Sequence, residues 1–255
     1  MHKLRQMKNK DEYINGMDWG EDEVNLSSLE NYRIYQYNLI KKHVTGRVLE
    51  VGTGDKGFTK QLVSHNPEIE LTSIEPSDTF FQKYSADNKF PESVSFLNED
   101  LFKVTSEQIG TFDTIIFIHV LEHIENDADA LIKAKELLNP GGKILIEVPA
   151  LPILFSDHDT SLGHFRRYTK SSLRKAFIPS GLTKLRMWYQ DPIGVFGSFI
   201  FFKVLKKKLD SPEGTSLVKN EGNIYDKVII PIEGFIEKFI TFPFGLSLTV
   251  ILKKD

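Results

Sequence analysis

Apolar and polar positions change rhythm several times along the chain. Between residues 29 and 43, apolar side chains fall at Leu29, Tyr32, Tyr35, Leu39 and Ile40, a spacing that predicts a helix from Leu29 to His43. From Arg47 the pattern becomes short, continuous apolar runs separated by helical stretches. The runs predict strands at Arg47–Val51, Glu70–Ile74, Val94–Leu97, Thr111–Ile118 and Lys143–Val148, with helices at Gly57–Ser64, Pro76–Ala86 and Asp127–Leu138. Asn139-Pro140-Gly141-Gly142 stops the last of these helices and turns the chain. Strands apolar on both faces, alternating with helices, predict a parallel sheet covered on both sides.

After Val148 the pattern changes. Leu151 to Tyr168 reads as a polar and aromatic loop, Thr169 as the N-cap of a helix ending near Pro179 and closed by Gly181, and Thr183–Tyr189 as a sixth strand. Asp191 to Gly245 reads as an insertion, and Leu246–Leu252 as a final strand. The chain therefore divides into an N-terminal arm or lid (1–28), a core (29–190), a helical insertion (191–245) and the last core strand (246–255).

Composition narrows the function. The 255 residues can bury one sizeable core, and 40% hydrophobic with 26% charged residues describes an ordinary globular protein. A net charge of -3 offers no bulk attraction to nucleic acid, so no nucleic-acid partner is expected. The absence of cysteine excludes disulfides and thiolate metal sites and fits a reducing, cytoplasmic setting. The basic start MHKLRQMKNKDEY has no apolar run behind it and is not expected to be a secretory signal.

The chemistry begins at Val48-Leu-Glu-Val-Gly-Thr-Gly-Asp-Lys-Gly-Phe58, whose Gly52, Gly54 and Gly57 fit G-x-G-x-x-G. Such a loop at the carboxyl end of a first strand lies where open α/β sheets bind ligands. Glu50 opposes a pyrophosphate there: two unit charges about 5 Å apart, at an effective dielectric of about 20, interact by roughly 3 kcal/mol. A ligand carrying an ammonium and a sulfonium reverses that sign, which favours S-adenosylmethionine. Glu75, at the end of the second strand, can accept both ribose hydroxyls of an adenosine, or can simply be a carboxylate favoured near a helix N-terminus.

Together, Glu50-Val-Gly-Thr-Gly54, Ile74-Glu-Pro-Ser77, Glu99-Asp-Leu101, Phe112-Asp113 through Val120-Leu-Glu-His-Ile124, and Leu138-Asn-Pro-Gly-Gly142 resemble a class I S-adenosylmethionine-dependent methyltransferase. Val148-Pro-Ala150, Gly163-His-Phe-Arg-Arg-Tyr-Thr169 and Pro243-Phe-Gly-Leu-Ser-Leu248 are similar to a bacterial subgroup that often accompanies glycan-assembly enzymes. The resemblance implies a seven-stranded, Rossmann-like, doubly wound sheet, mostly parallel with an antiparallel last strand, and a helical insertion before that strand. It implies S-adenosylmethionine as cofactor, with Glu50, Gly52, Thr53 and Gly54 at the methionyl end. Glu75 and Pro76 then lie at the ribose, Asp100 and Leu101 at the adenine, and His119 where the methionyl group meets the acceptor. Lys56 departs from the family, which usually has glycine at that position.

Methyl transfer from a sulfonium is an in-line displacement that needs orientation and a dry, charge-matched site. An oxygen nucleophile also benefits from a base, for which His119, His158 and His164 are candidates. His164 is favoured because Arg166, Arg167 and Tyr168 follow it; the two arginines can clamp a carboxylate or phosphate, or can pair with nearby acids and order the loop. His123 reads as a structural helix-start residue. Contiguous Asp157-His158-Asp159 cannot all face one ion, so no metal is expected. The expected acceptor is a small molecule or glycan, a saccharide or lipid-linked cell-envelope precursor bearing a hydroxyl. The stretch 192–209 is apolar and then basic, which suits either a cover over the acceptor mouth or peripheral contact with the inner face of a membrane. A dinucleotide-dependent sugar oxidoreductase or epimerase, and a non-catalytic cofactor-binding scaffold, are the alternatives.

Overall fold

The structure, a computed structural model, describes residues 29–85, 90–199 and 225–255. The expected arm at 1–28 lies outside them. So do residues 200–224, with Lys203 and Lys206–Lys208 of the basic stretch.

Helix α1 (Glu30–Ile40) precedes β1 (Arg47–Val51), α2 (Gly57–His65), β2 (Glu70–Ile74), α3 (Asp78–Ser85) and β3 (Val94–Leu97). Then come α4 (Ser106–Ile109), β4 (Phe112–Ile118), α5 (Asp127–Glu136) and β5 (Leu138–Pro149). Helices α6 (Asp157–Ser161) and α7 (Lys170–Phe177) lead to β6 (Thr183–Gln190), α8 (Pro192–Ser198), α9 (Ile230–Ile236) and β7 (Ser247–Lys253). The strands form one seven-stranded sheet in the order β3-β2-β1-β4-β5-β7-β6. Strand β7 is antiparallel to both of its neighbours, and the β1–β5 pairings are parallel. The last strand can reverse because β6 and β7 are joined by an insertion rather than by a right-handed crossover.

Each central strand buries both faces. In β1, Leu49 and Val51 join Phe117, Ile146 and Leu131 on one side of the sheet, while Val48 joins Ile116, Leu62 and Ile40 on the other. Alternate side chains thus feed two cores, which is why these strands read as unbroken apolar runs. The registers Glu50↔Ser73, Glu50↔Ile116, Glu147↔Ile118, Glu147↔Thr249 and Gln190↔Ser247 bring the carboxyl ends of β1, β2, β4, β5 and β6 to one edge. Successive connections leave β1 in opposite directions, so the crevice at that edge lies at the switch between β1 and β4.

Several expectations shift. Residues 151–168 are not one loop: they contain α6, whose N-cap Ser156 and N3 residue Asp159 form a reciprocal capping box. Helix α4 is likewise set by a capping box, of Thr105 with Gln108. Both helices are too short to show an apolar period. Strand β5 starts at Leu138, which pairs with Phe112, so Asn139-Pro140-Gly141-Gly142 is an irregular start to the strand rather than a turn outside it. Within the expected helical insertion, Tyr225–Ile229 form a π-helical turn that leads into α9. No helix among the described residues is long and apolar enough to cross a membrane.

Candidate functional site

The glycine loop leaves β1 with three consecutive constraints on its shape. Gly52 has φ +77°, and a Cβ there would come within 2.6 Å of the Val120 side chain. Gly54 has φ +53° but faces open space, with nothing within 4 Å of a Cβ. The first glycine serves packing and the second leaves room for a ligand. Lys56, where the related pattern has glycine, takes the left-handed conformation glycine would favour (φ 61°). Its Nζ lies 3.9 Å from the Phe96 ring centroid, so a cation–π contact offsets part of the backbone strain.

Two acids hold this loop. Glu50 Oε2 accepts from Thr59 Oγ1 at 2.7 Å and Ser73 Oγ at 2.5 Å, tying β1 to α2 and β2. Burial pushes its carboxyl up to about 7, against the pull of those two hydroxyls. Glu75 Oε2 accepts from the Gly54 N–H at 2.9 Å and Oε1 from the Ser77 N–H at 3.0 Å. Burial raises its carboxyl above the ordinary range, and the two amides pull it back. Both acids therefore shape the loop, and each carboxylate keeps further acceptor capacity. Thr53 Oγ1 bonds Ser73 Oγ at 2.7 Å, Pro76 follows Glu75, Asp100 Oδ1 caps Phe102 N at 3.0 Å, and Leu101 is buried.

Helix α1 brings residues the sequence did not single out. Arg33 Nη1 donates to Gln36 Oε1 at 3.1 Å, Nη2 lies 3.9 Å from Asp55, and the buried Nε has no partner. A Cβ on Gly57 would lie 3.4 Å from that Nε, so the guanidinium stands over the glycine loop. Gln36 Nε2 in turn donates to Glu147 Oε1 at 2.6 Å, leaving the buried Glu147 Oε2 unpaired.

At the end of β4 the chain turns through His119, whose φ of 53° is strained for a residue with a side chain. Its Nε2 is 3.1 Å from Glu147 Oε1 and its Nδ1 is 3.4 Å from Glu122 Oε1. Burial works against a charge on this imidazole, but the two carboxylates outweigh it and raise its pKa to about 9. At neutral pH His119 is then a cation that donates, not a free base. His123 behaves oppositely: burial lowers it to about 4, keeping it neutral.

The segment 157–169 folds inward around Asp159, which is fully buried. His164 Nδ1 lies 2.9 Å and Arg167 Nε 2.7 Å from its Oδ1. Burial alone would raise the Asp159 carboxyl, but His164 and Arg167 drive it well below the carboxylate range. His158 sits beside Asp159 on α6. Arg166 pairs with Asp127 at 3.0 Å and donates to the Glu125 carbonyl at 2.7 Å. Tyr168 is buried, with its hydroxyl donating to Asp127 Oδ2 at 2.9 Å and Leu121 O, at 3.3 Å, as the alternative acceptor for the same proton. The side chains of Arg166, Arg167 and Tyr168 thus hold the loop together, and the geometry supports the loop-ordering role over an anion clamp. His164 joins the cluster at the sheet edge through Glu122, 4.0 Å from its Nε2.

Beyond β6 a second acidic group lies under α8 and α9. The Asp191 N–H donates to Glu237 at 2.8 Å, Tyr35 Oη donates to the same carboxylate at 2.6 Å, and the Ile193 N–H donates to Glu233 at 2.8 Å. Burial, and then Asp191 beside it, push Glu233 up to about 8. Asp226 accepts from the Asn31 and Tyr32 N–H groups and so caps the start of α1. The insertion is thereby keyed to the helix that carries Arg33 and Gln36. None of these partners was legible in the sequence, because each pair is separated by well over a hundred residues or lies in the irregular insertion.

Comparison with known proteins gives this edge its context. Curated relatives include a tRNA U34 carboxymethyltransferase of Desulforapulum autotrophicum, 27% identical over 143 residues, which are 56% of this chain and 42% of that protein. An uncharacterized methyltransferase of Schizosaccharomyces pombe is 28% identical over 141 residues, 52% of this chain and 50% of its own. The chain thus spans about half the length of the curated relatives it matches. Among solved structures, the N-methyltransferase NodS of Bradyrhizobium japonicum in complex with S-adenosyl-L-homocysteine superposes with a TM-score of 0.57 at 14% identity, covering 97% of this chain and 99% of that one. A SAM-dependent methyltransferase of Archaeoglobus fulgidus does so with a TM-score of 0.56 at 14% identity, covering 89% and 94%. At such identities the likeness is one of fold. A family profile described as "Methyltransferase domain" matches residues 29–186, from α1 into β6, and the chain belongs to that family, whose cofactor is S-adenosylmethionine.

Proposed function

We propose that the protein transfers a methyl group from S-adenosylmethionine to a hydroxyl on a small polar acceptor, a saccharide or a lipid-linked cell-envelope precursor. The observation that carries this reading is the convergence of Glu50, Gly54 and Glu75 with Arg33, Gln36 and Glu147 at one edge of the sheet. The residues fit the cofactor. Gly54 opens onto free space, and the unpartnered Arg33 Nε suits the methionyl carboxylate. The unpaired Glu147 Oε2 suits the ammonium, and Glu75 retains acceptor positions for ribose hydroxyls. Bound there, the cofactor supplies a methyl group already activated by its positive sulfur. The protein orients it, excludes water and matches its charge.

Acceptor chemistry is read from charge. Glu122, Glu147, Asp191 and Glu233 are all buried at the same edge or just beyond it. Such walls disfavour a polyanion, so a small neutral or cationic acceptor is the better match, although relatives of the core are named as tRNA-modifying enzymes. The GHFRRYT segment supports the glycan setting by resemblance alone. Exposed Phe196, Phe199, Phe235 and Phe239 on and beside α8 and α9 support a contact with a lipid surface. The test is methyl incorporation from labelled cofactor into sugar nucleotides, lipid-linked glycans and tRNA in parallel. Labelling of tRNA alone would overturn the acceptor class, and cofactor binding with no label in any acceptor would favour the scaffold.

A further inference from the structure

Among the described residues, Glu122, His123 and His164 present one carboxylate oxygen and two imidazole nitrogens within 4.8 Å of one another. Glu122 is fully buried, and neither of its oxygens has a hydrogen-bond partner. His119 Nδ1 lies 3.4 Å and His164 Nε2 4.0 Å from its Oε1. His119 meets Oε1 alone, and a buried carboxylate paired on one oxygen only gains from a further cation. His123 Nδ1 is buried and unpartnered too. Its ring meets that of His164 edge to face, with centroids 4.7 Å apart.

His164 is also oriented from behind. Asp159, itself held by Arg167 at 2.7 Å, lies 2.9 Å from His164 Nδ1. That contact fixes the ring so that Nε2 points at Glu122. A carboxylate behind a histidine is how proteins set the tautomer and basicity of a metal-binding imidazole.

We propose that Glu122, His123 and His164 bind a divalent transition-metal ion at the carboxyl edge of the sheet. Two imidazoles and one carboxylate select zinc, manganese or iron(II) over the hard cations magnesium and calcium. Ligands around such an ion stand roughly 3.3 Å apart for bonds of about 2.1 Å, so binding draws the three side chains together by about 1 Å. Three protein ligands leave positions open for polar oxygens of an acceptor. That last role rests on the methyl-transfer reading; the binding of the ion does not.

The test uses tag-free full-length protein freed of metal with a chelator and titrated calorimetrically with Zn²⁺, Mn²⁺ and Co²⁺. The visible spectrum of the Co²⁺ complex reports nitrogen and oxygen ligation. One equivalent should bind, and Glu122→Gln or His164→Gln should weaken binding at least tenfold. Asp159→Asn, which acts through His164, should weaken it about tenfold. Circular dichroism checks that each variant folds, and His123→Gln replaces either ligand variant that does not. No saturable binding, or unchanged affinity in folded Glu122→Gln and His164→Gln, overturns the proposal. Stoichiometric binding without methyl transfer to any acceptor would uphold the metal site and count against the function proposed above.

Discussion

Cofactor affinity should depend on pH through Glu50. Burial holds its carboxyl near 7 in the free protein, so at pH 6 about one molecule in eleven carries the charge and at pH 7.5 about three in four do. A cationic ligand favours the ionised form. An attraction of roughly 3 kcal/mol would bring the bound-state pKa down by about two units, to near 5. The apparent affinity scales with the competent fraction, so it should rise about eightfold from pH 6 to pH 7.5. The range stops there because the ligand's own α-amino group titrates near 8. Binding at pH 6 should release about 0.8 proton, which calorimetry in buffers of different ionisation enthalpy measures directly.

Glu50→Gln isolates the cause. The amide keeps an oxygen for Thr59 Oγ1 and Ser73 Oγ but has no charge to offer. Affinity should fall to, or below, the wild-type value at pH 6 and lose its pH dependence over this range. An eightfold rise that persists in Glu50→Gln would assign the proton to another group. A flat wild-type profile would show that the Glu50 charge does not reach the ligand, and that its role ends at holding the loop.

Three further outcomes follow from the same geometry. Because the folded pKa of Glu50 is raised from 4.5 to about 7, its contribution to stability is complete below pH 4.5 and is lost as pH rises to about 7. Glu50→Gln should therefore be more stable than wild type by about 3 kcal/mol at pH 8 and equal to it near pH 4, by urea unfolding. Gly54→Ala adds a methyl into open space at φ +53°, so it should cost only about 1 kcal/mol of stability yet weaken cofactor binding at least tenfold by calorimetry. Tyr168→Phe removes the hydroxyl held by Asp127 and Leu121 in a fully packed position. It should lower stability by about 1–2 kcal/mol in denaturant titration while leaving cofactor affinity unchanged.

The sheet was legible because its signal is local. The central strands β1 and β4, the later part of β5 and the last strand β7 are short apolar runs, and Gly52 and Gly54 mark the turn that follows β1. The capped short helices were missed because four or five residues show no period; only Ser156 with Asp159 and Thr105 with Gln108 betray them. The partners of the site residues were not legible at all. His119 could be placed at the end of β4 from spacing, but not between Glu122 and Glu147, which turn a presumed base into a cation. His164 could be marked by its neighbours, but Asp159 reaches it only because α6 replaces the expected loop. Sequence spacing found which residues stand at the edge; the carboxylates facing them decide what each can do.

Those carboxylates point to a division of labour across the edge. On the β1–β2 side, Glu50 and Glu75 are met by hydroxyl and amide donors from their own loop, so the cradle is shaped before any ligand arrives. On the β4–β5 side, Glu122 and Glu147 each leave a buried oxygen without a hydrogen bond, with His119 between them and the His164 ring beside Glu122. Burial without complete pairing is unfavourable for the empty protein, and it is relieved only by a group that brings positive charge or donors. This contrast, acids unmet at one part of the edge and satisfied two strands away, is what the cofactor and metal sites proposed above both draw on.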